Sequence, residues 1–437
     1  MKNWTDKLKN YPIFFISPDI KRGLGVEDLL PNYHVICSYN DPLIPVLRRY
    51  AKIFCLEEIQ PDNKNLPNNS GTLLANKHVQ KFIQNHSAIK PFISYFKPSL
   101  KIDYLLKINK YHALGNNYEL NEKFENKINF TNVFSEIIPG FLTSFIIGRM
   151  SELRFPKTVK KFGLPFCLQF GHGWAGKTTY FISDEIQLNN LSKKFPQTVV
   201  KISPYIDGFT ILNNCCLYKD KVLVSDPAVQ VSGINLLSSR ENVTCGRQWP
   251  VLSIDKSTVR GISRLSKIIG RQLSSSGYKG YFGIDFLIEK RTGRIFVSEI
   301  NARLTASSAF FTRLETGNGL IPLLAYHYAA FLGLDLPRNR RKPLISGSQV
   351  IIREESTKKE IKLKNFGNYQ ITNNRLKYLH DNYQPEKLSD NQFIFHSESY
   401  PRENAELARI ESKMNALFAP GKLSPWLSSL LSGKMLY

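Results

Sequence analysis

The sequence predicts a mixed α/β protein with α+β character and more than one domain, and three observations carry that expectation. Over residues 11 to 58, short apolar runs alternate with helix candidates, the pattern of a Rossmann-like layer. Between 164 and 182, two apolar segments, LPFCLQF and YFIS, flank a glycine-rich loop, GHGWAGKTT. Further on, two β-hairpins, FTILNNCCLY with KVLVSDPAVQ and GYFGIDFLIE with RIFVSEINARL, stand either side of a long amphipathic helix candidate.

Each element follows from its residues. YPIFFISP is a short apolar strand, GVEDLLPNY a turn and helix candidate, and HVICSYN a second strand; DPLIPVLRRYAKIFCLEE is a helix leading into a third strand. Pro61 to Gly71, PDNKNLPNNSG, is rich in turn formers and sets a boundary near residue 70. From Thr72 the chain reads as helical, TLLANKHVQKFIQNHSAIKPFISYF, and the stretch from about 90 to 150 yields no reading. After the glycine loop come a helix candidate, DEIQLNNLSKKF, a strand, TVVKIS, and the segment SPYIDG. The first hairpin turns at Lys219 and Asp220. The helix DKSTVRGISRLSKIIGRQLSSSG places apolar residues at 259, 262, 265, 268 and 269 and stops at Gly277. The second hairpin turns at KRTG and leads to an apolar helix, GLIPLLAYHYAAFLG. KPLISGSQVIIREES and NQFIFHSESYP read as strands, and AELARIESKMNALFA as a closing amphipathic helix carrying Leu407, Ile410, Met414, Leu417 and Phe418.

With 437 residues, 42% hydrophobic and 12% aromatic, the chain can bury proper cores and is not a disordered tail. No run approaches the roughly 18 apolar residues of a membrane span. The longest candidate, Ile137 to Gly148, is broken by Pro139 and Gly140. The start, MKNWTDKLKN, lacks an apolar signal core, so a cytoplasmic location with no membrane partner is expected. Six cysteines without a CxxC pair and eight scattered histidines argue against a zinc site or a disulfide framework, and for buried reduced thiols. The formal charge of +23 and pI near 9.6 ask for an acidic partner. Yet the excess is spread over KKF at 160 and 193, RNRRK at 338 to 342 and STKKEIKLK at 356 to 364. Diffuse basicity without an arm or recognition helix is often a solvated surface and could equally attract nucleotides or other anions, which leaves specific nucleic-acid binding the lesser expectation.

Glycines in the loop from Gly171 to Thr179 let backbone amides approach an anion, and Lys177, Thr178 and Thr179 add a charge and hydroxyl donors. The spacing Gly171, Gly176, Lys177, Thr178 matches GxxxxGK[ST]. The next segment, TYFIS, is a strand rather than the phosphate-capping helix of that motif, so the loop reads as a hairpin folding over phosphates. In the second hairpin, the strand period of two puts Glu299, Asn301 and Arg303 on one face and Ile300 and Ala302 on the other. Pairing FGIDFLIE with RIFVSEIN brings Asp285 to the same place. Hard oxygen ligands of this kind suit Mg²⁺, with a substrate phosphate completing its shell.

Together these motifs resemble the ATP-grasp superfamily of carboxylate-amine and carboxylate-thiol ligases, over roughly residues 72 to 335. GYFGIDF and VSEINAR look like its two metal-bearing strands, and LQFGHGWAGKTTYFI like its flexible lid loop. The resemblance implies a Rossmann-like pre-ATP-grasp domain over 1–70, an ATP-grasp domain over 71–335 with its lid at about 160–205, and a small α+β cap over 336–437. It implies ATP and Mg²⁺, with Asp285, Glu299 and Asn301 holding the metal and Arg303 contacting the phosphate or an acyl phosphate. Gln169, Gly173, Gly176, Lys177 and Thr178 would meet the phosphates, and Ser203, Pro204 and Ile206 of SPYIDG would receive adenine. Lys77, in ANKHVQKF, resembles the lysine of the family's first nucleotide-binding helix. Arg247, in VTCGRQWP, is a candidate for gripping an acceptor carboxylate or phosphate, or else forms a surface salt bridge; Gln230 is a substrate contact or a structural amide.

Two positions depart from the family pattern, which often has lysine where Gln169 stands and glutamate where Ser203 stands. Glutamine donates hydrogen bonds but neutralises no phosphate. Either Lys177 supplies the charge, or the nucleotide site is weaker, or activity is lost. The expected activity is ATP-dependent activation of a carboxylate as an acyl phosphate for attack by an amine of amino-acid or peptide type. The alternatives are an inactive ATP-binding module and a basic nucleic-acid-binding protein. The expected partners are thus small-molecule carboxylate and amine substrates, with a homodimer open.

Overall fold

The computed structural model describes residues 3–173, 178–240, 243–252, 254–340, 343–398 and 406–435. Strands β1 (Ile13–Ile16), β2 (Tyr33–Cys37), β3 (Lys52–Cys55), β4 (Phe92–Tyr95) and β5 (His112–Ala113) lie parallel in the order β3-β2-β1-β4-β5. β1 and β2 are buried at every position, as near-continuous apolar strands of a sheet covered on both faces must be. GVEDLLPNY forms turns rather than a helix. This layer does not end at the polar linker near residue 70. Helix Lys77–Asn85 covers it through Val79 and Ile83, and β4 and β5 extend it. With four and two residues, these strands are too short to show a period in the sequence.

A second sheet is antiparallel, built from β6 (Ile146–Arg149), β7 (Phe166–Phe170), β8 (Thr179–Ile182) and β9 (Val199–Pro204) in the order β6-β9-β7-β8. Helices Phe155–Phe162 and Glu185–Lys194 cover one face and enclose a small core of its own, including Phe166, Leu168, Val200 and Ile202. By the period of two, Cys167, Gln169, Lys201 and Ser203 leave the opposite face.

The largest sheet continues the chain: β10 (Gly208–Tyr218), β11 (Lys221–Val224), β12 (Ala228–Gln230), β13 (Gly246–Trp249), β14 (Gly280–Glu289), β15 (Ile295–Asn301), β16 (Gly347–Ile352), β17 (Phe366–Thr372), β18 (Arg375–His380), β19 (Gln392–Ser397) and β20 (Ala408–Ser412). Among the described residues its order is β15-β14-β10-β12-β13-β16-β20-β19-β17-β18, with β11 beside β10. Helix Lys256–Ser275 seals one face with Ile262, Leu265, Ile269 and Leu273. Helix Leu323–Leu332 lies between the other face and the parallel sheet, where the hydroxyls of Tyr328 and Tyr33 meet at 3.3 Å.

The last hundred residues therefore extend this sheet, β16 pairing directly with β13. Residues 406–419 form β20, a turn and the short strand Leu417–Ala419 rather than a closing helix; the last helix among the described residues is Pro425–Leu431. The polar residues of 406–419 mimic the solvent side of a helix, yet they are interior: Arg409 is buried and donates twice to Glu406, at 2.6 and 2.9 Å. Among the described residues no helix is long and apolar enough to cross a membrane.

Candidate active site

A cavity of about 590 Å³ lies between the four-stranded sheet and the large sheet, and both line it. On the large-sheet side, Asp285 of β14 pairs with Glu299 of β15, and Gly283 with Asn301. A bulge makes this possible. Phe286 and Val297 are paired and point into the core, so strict alternation would send Glu299 there too. Ser298 is the extra residue that resets the alternation, leaving Ile300 and Ala302 in the core and Glu299, Asn301 and Arg303 on the cavity.

Lys127 stands beside the two carboxylates, its Nζ 2.7 Å from Glu299 Oε2. Burial and the Glu299 carboxylate push the Asp285 acid well above the usual range. Burial also acts upward on Glu299, but Lys127 overrides it and holds the group low. Among the described residues no group of three or more His, Cys, Asp or Glu side chains is placed to hold a metal ion, so the donor set here is two carboxylates and an amide. Asn301 Nδ2 donates to Asp285 Oδ1 at 3.3 Å, which keeps that amide beside the acid. One or two carboxylates and room for phosphate oxygens are what Mg²⁺ takes, and these residues fit it. Arg303 is braced rather than free: its Nε donates to Glu125 at 3.0 Å, one terminal nitrogen to Asn301 Oδ1 at 3.0 Å, and its guanidinium lies 4.9 Å from the Phe96 ring. Arg303 and Lys97 in turn outweigh burial and hold Glu125 at about 2.

On the lid-sheet side, Gln169, Gly173, Thr178, Ser203, Pro204 and Ile206 all line the cavity. Gly176 and Lys177 lie outside the described residues. The glycine loop starts against a helix cap. Asn126 caps helix Lys127–Phe134, and the Lys127 amide donates to the Gly171 carbonyl at 2.8 Å. A Cβ on residue 171 would stand 2.8 Å from Asn126 Oδ1, so glycine permits this approach. The loop returns as strand β8, not as a helix.

Lys77 is not brought to the cavity; it opens the helix on the parallel sheet. The lysine that does reach the site from a helix start is Lys127, in the stretch that gave no reading. Both follow an asparagine cap, so the local sequence alone does not separate them. A second unforeseen lysine, Lys201, lines the cavity from β9. Its signal was in the sequence: in TVVKIS, Val200 and Ile202 alternate with Lys201 and Ser203. Arg247 of β13 is no surface residue. It is 6% exposed, lines the cavity and leaves its Nε without a hydrogen-bond partner among the described residues. Burial lowers it to about 10 despite the opposing pull of Asp285. Gln230, its partner across β12 and β13, lines the cavity as well.

A cavity between two antiparallel sheets, set behind a parallel sheet, defines the ATP-grasp fold, and this chain has it. No protein-family model and no curated protein sequence matches the chain. Solved structures do. N5-carboxyaminoimidazole synthetase from Staphylococcus aureus with ADP superposes with a TM-score of 0.58 at 14% identity, covering 92% of each chain. The ADP complex of the synthetase purK gives a TM-score of 0.61 at 12% identity, over 96% of this chain and 95% of that one. The biotin carboxylase domain dimer of Hydrogenobacter thermophilus 2-oxoglutarate carboxylase, with MgADP, ADP and bicarbonate, gives 0.60 at 13% identity, over 92% and 86%.

Proposed function

We propose that this protein is an ATP-dependent ligase that activates a carboxylate as an acyl phosphate and passes it to an amine, with amino acids or peptides as the substrate class. The observation that carries this reading is the convergence, in one cavity, of the Asp285 and Glu299 pair with Lys127 and a buried, incompletely bonded Arg247. Asp285, Glu299 and Asn301 would hold Mg²⁺, which when bound supplies positive charge against the phosphoryl oxygens. The lid residues Gln169, Gly173 and Thr178 would cover the phosphates, and Ser203, Pro204 and Ile206 the adenine.

A substrate carboxylate oxygen attacks the γ-phosphorus, the bond to the β-phosphate oxygen breaks, and ADP leaves. The amine nitrogen then attacks the acyl carbon. The bond from that carbon to the phosphate oxygen breaks, and the nitrogen's proton passes to the departing phosphate. Arg247 pairs with the substrate carboxylate, whose two oxygens its planar fork matches. Arg303, pre-positioned by Glu125 and Phe96, faces the charge that develops during transfer without having to reorganise. The three solved structures hold ADP, and one of them bicarbonate as well, which supports the nucleotide and a carboxylate-type substrate.

The test is phosphate release from Mg-ATP in the presence of pooled amino acids, peptides or bicarbonate. One pool is expected to stimulate release, and Arg247→Met to lower the stimulated rate by about 100-fold while Mg-ATP still raises Tm. If Mg-ATP raises Tm but no pool stimulates release, the protein is an ATP-binding module and the ligase reading fails.

A further inference from the structure

We propose that Lys201 contacts the nucleotide phosphates and stands in for the cation that β7 lacks at Gln169, an inference that rests on the nucleotide reading above. Gln169 and Lys201 are directly paired on β7 and β9, so their side chains leave the same face roughly 5 Å apart. That face is the cavity wall, and both residues line it. A positive charge moved from one strand to the next at the same register stays within reach of the same anion, because a lysine stem spans the difference.

Lys201 is 4% exposed and has no ion pair or hydrogen bond among the described residues. Structural lysines at that depth are paired; this chain's Lys21, equally buried, has three carboxylates around it. Around Lys201, by contrast, the titratable groups that act on it are a second cation, Lys127, and the Cys167 thiol, which burial pushes up to about 11. Burial first, and then Lys127, lower its ammonium to about 8, so a bound anion would favour its charged form. The choice of phosphate over substrate carboxylate follows from position. Lys201 is on the sheet that carries the glycine loop and is two residues before Ser203, whereas Arg247 approaches from the large sheet.

The test is titration calorimetry of the full chain with the Mg²⁺ complex of a non-hydrolysable ATP analogue, and with adenosine as the uncharged control. Lys201→Met is expected to weaken the analogue by about 10- to 100-fold and to leave adenosine within about twofold. Adding Gln169→Lys to that variant returns the charge to the neighbouring strand and is expected to recover most of the loss. Unchanged binding of the analogue by Lys201→Met overturns the inference, as does an equal loss for adenosine, which marks a structural role. If the wild-type chain binds neither ligand, the nucleotide reading itself falls and this inference with it.

Discussion

At Asp285, burial and the Glu299 carboxylate both favour the protonated acid, whereas Lys127 keeps Glu299 ionised. A carboxyl whose folded pKa lies above its unfolded value binds more protons in the fold, so it lowers stability as pH rises through that interval. A bound cation reverses this by displacing the proton. The rise in Tm on adding Mg-ATP is therefore expected to be larger near about pH 7 than near about pH 5, and Glu299→Ala to abolish it. A variant that melts with the wild-type Mg-ATP shift sinks the metal assignment; a shift independent of pH sinks the proton displacement. The shared face of Glu299, Asn301 and Arg303 was legible because a period of two is a local fact; the bulge at Ser298 that turns that face to Asp285 was not. Nor was Lys127, since its relevance arises from a strand about 170 residues later in the chain. Lys77 shows the converse, the same asparagine-capped start on a helix that packs on the parallel sheet, away from the cavity.

The four-stranded sheet and its two helices enclose their own apolar core, separate from those under the other sheets. A unit with so small a core opens locally at less cost than the whole molecule. Leu168 is fully buried there, and removing its side chain costs about 2–5 kcal/mol. Leu168→Ala is expected to raise amide hydrogen exchange across residues 146–204 while helix Lys256–Ser275 keeps its protection, with Mg-ATP partly restoring the lid. Exchange that rises equally in that helix would show that the lid does not open alone. At this scale most of the sequence reading stands: β7 to β10, the long helix and both hairpins lie where apolar periods place them. The segment from 406 to 418 misled because its alternation, Ala408, Ile410, Ser412, is shorter than the helix-like spacing that runs through it.

For the whole molecule, the decisive question is whether residues 336–437 are a cap or a part of the frame. β16 to β20 continue the sheet beyond β13, so their removal leaves the buried strand β13 as an unpaired edge. Buried charges bind the same region to the start of the chain. Lys21 pairs with Glu398, and Arg313 with Glu386 at 3.3 Å as well as with Glu27 and Asp28. Leaving a buried charge without its partner costs about 3–5 kcal/mol, and a whole domain has only about 5–15 kcal/mol of stability. A chain ending at residue 335 is thus expected to show no cooperative melting transition and no Mg-ATP shift, whereas the full chain melts with its C-terminal strands in the main transition. A truncated protein that purifies as a soluble monomer, melts cooperatively and is stabilised by Mg-ATP would show the reverse. The terminal hundred residues would then be an independent cap, and the ion pairs to Lys21 and Arg313 would be dispensable to the site they flank.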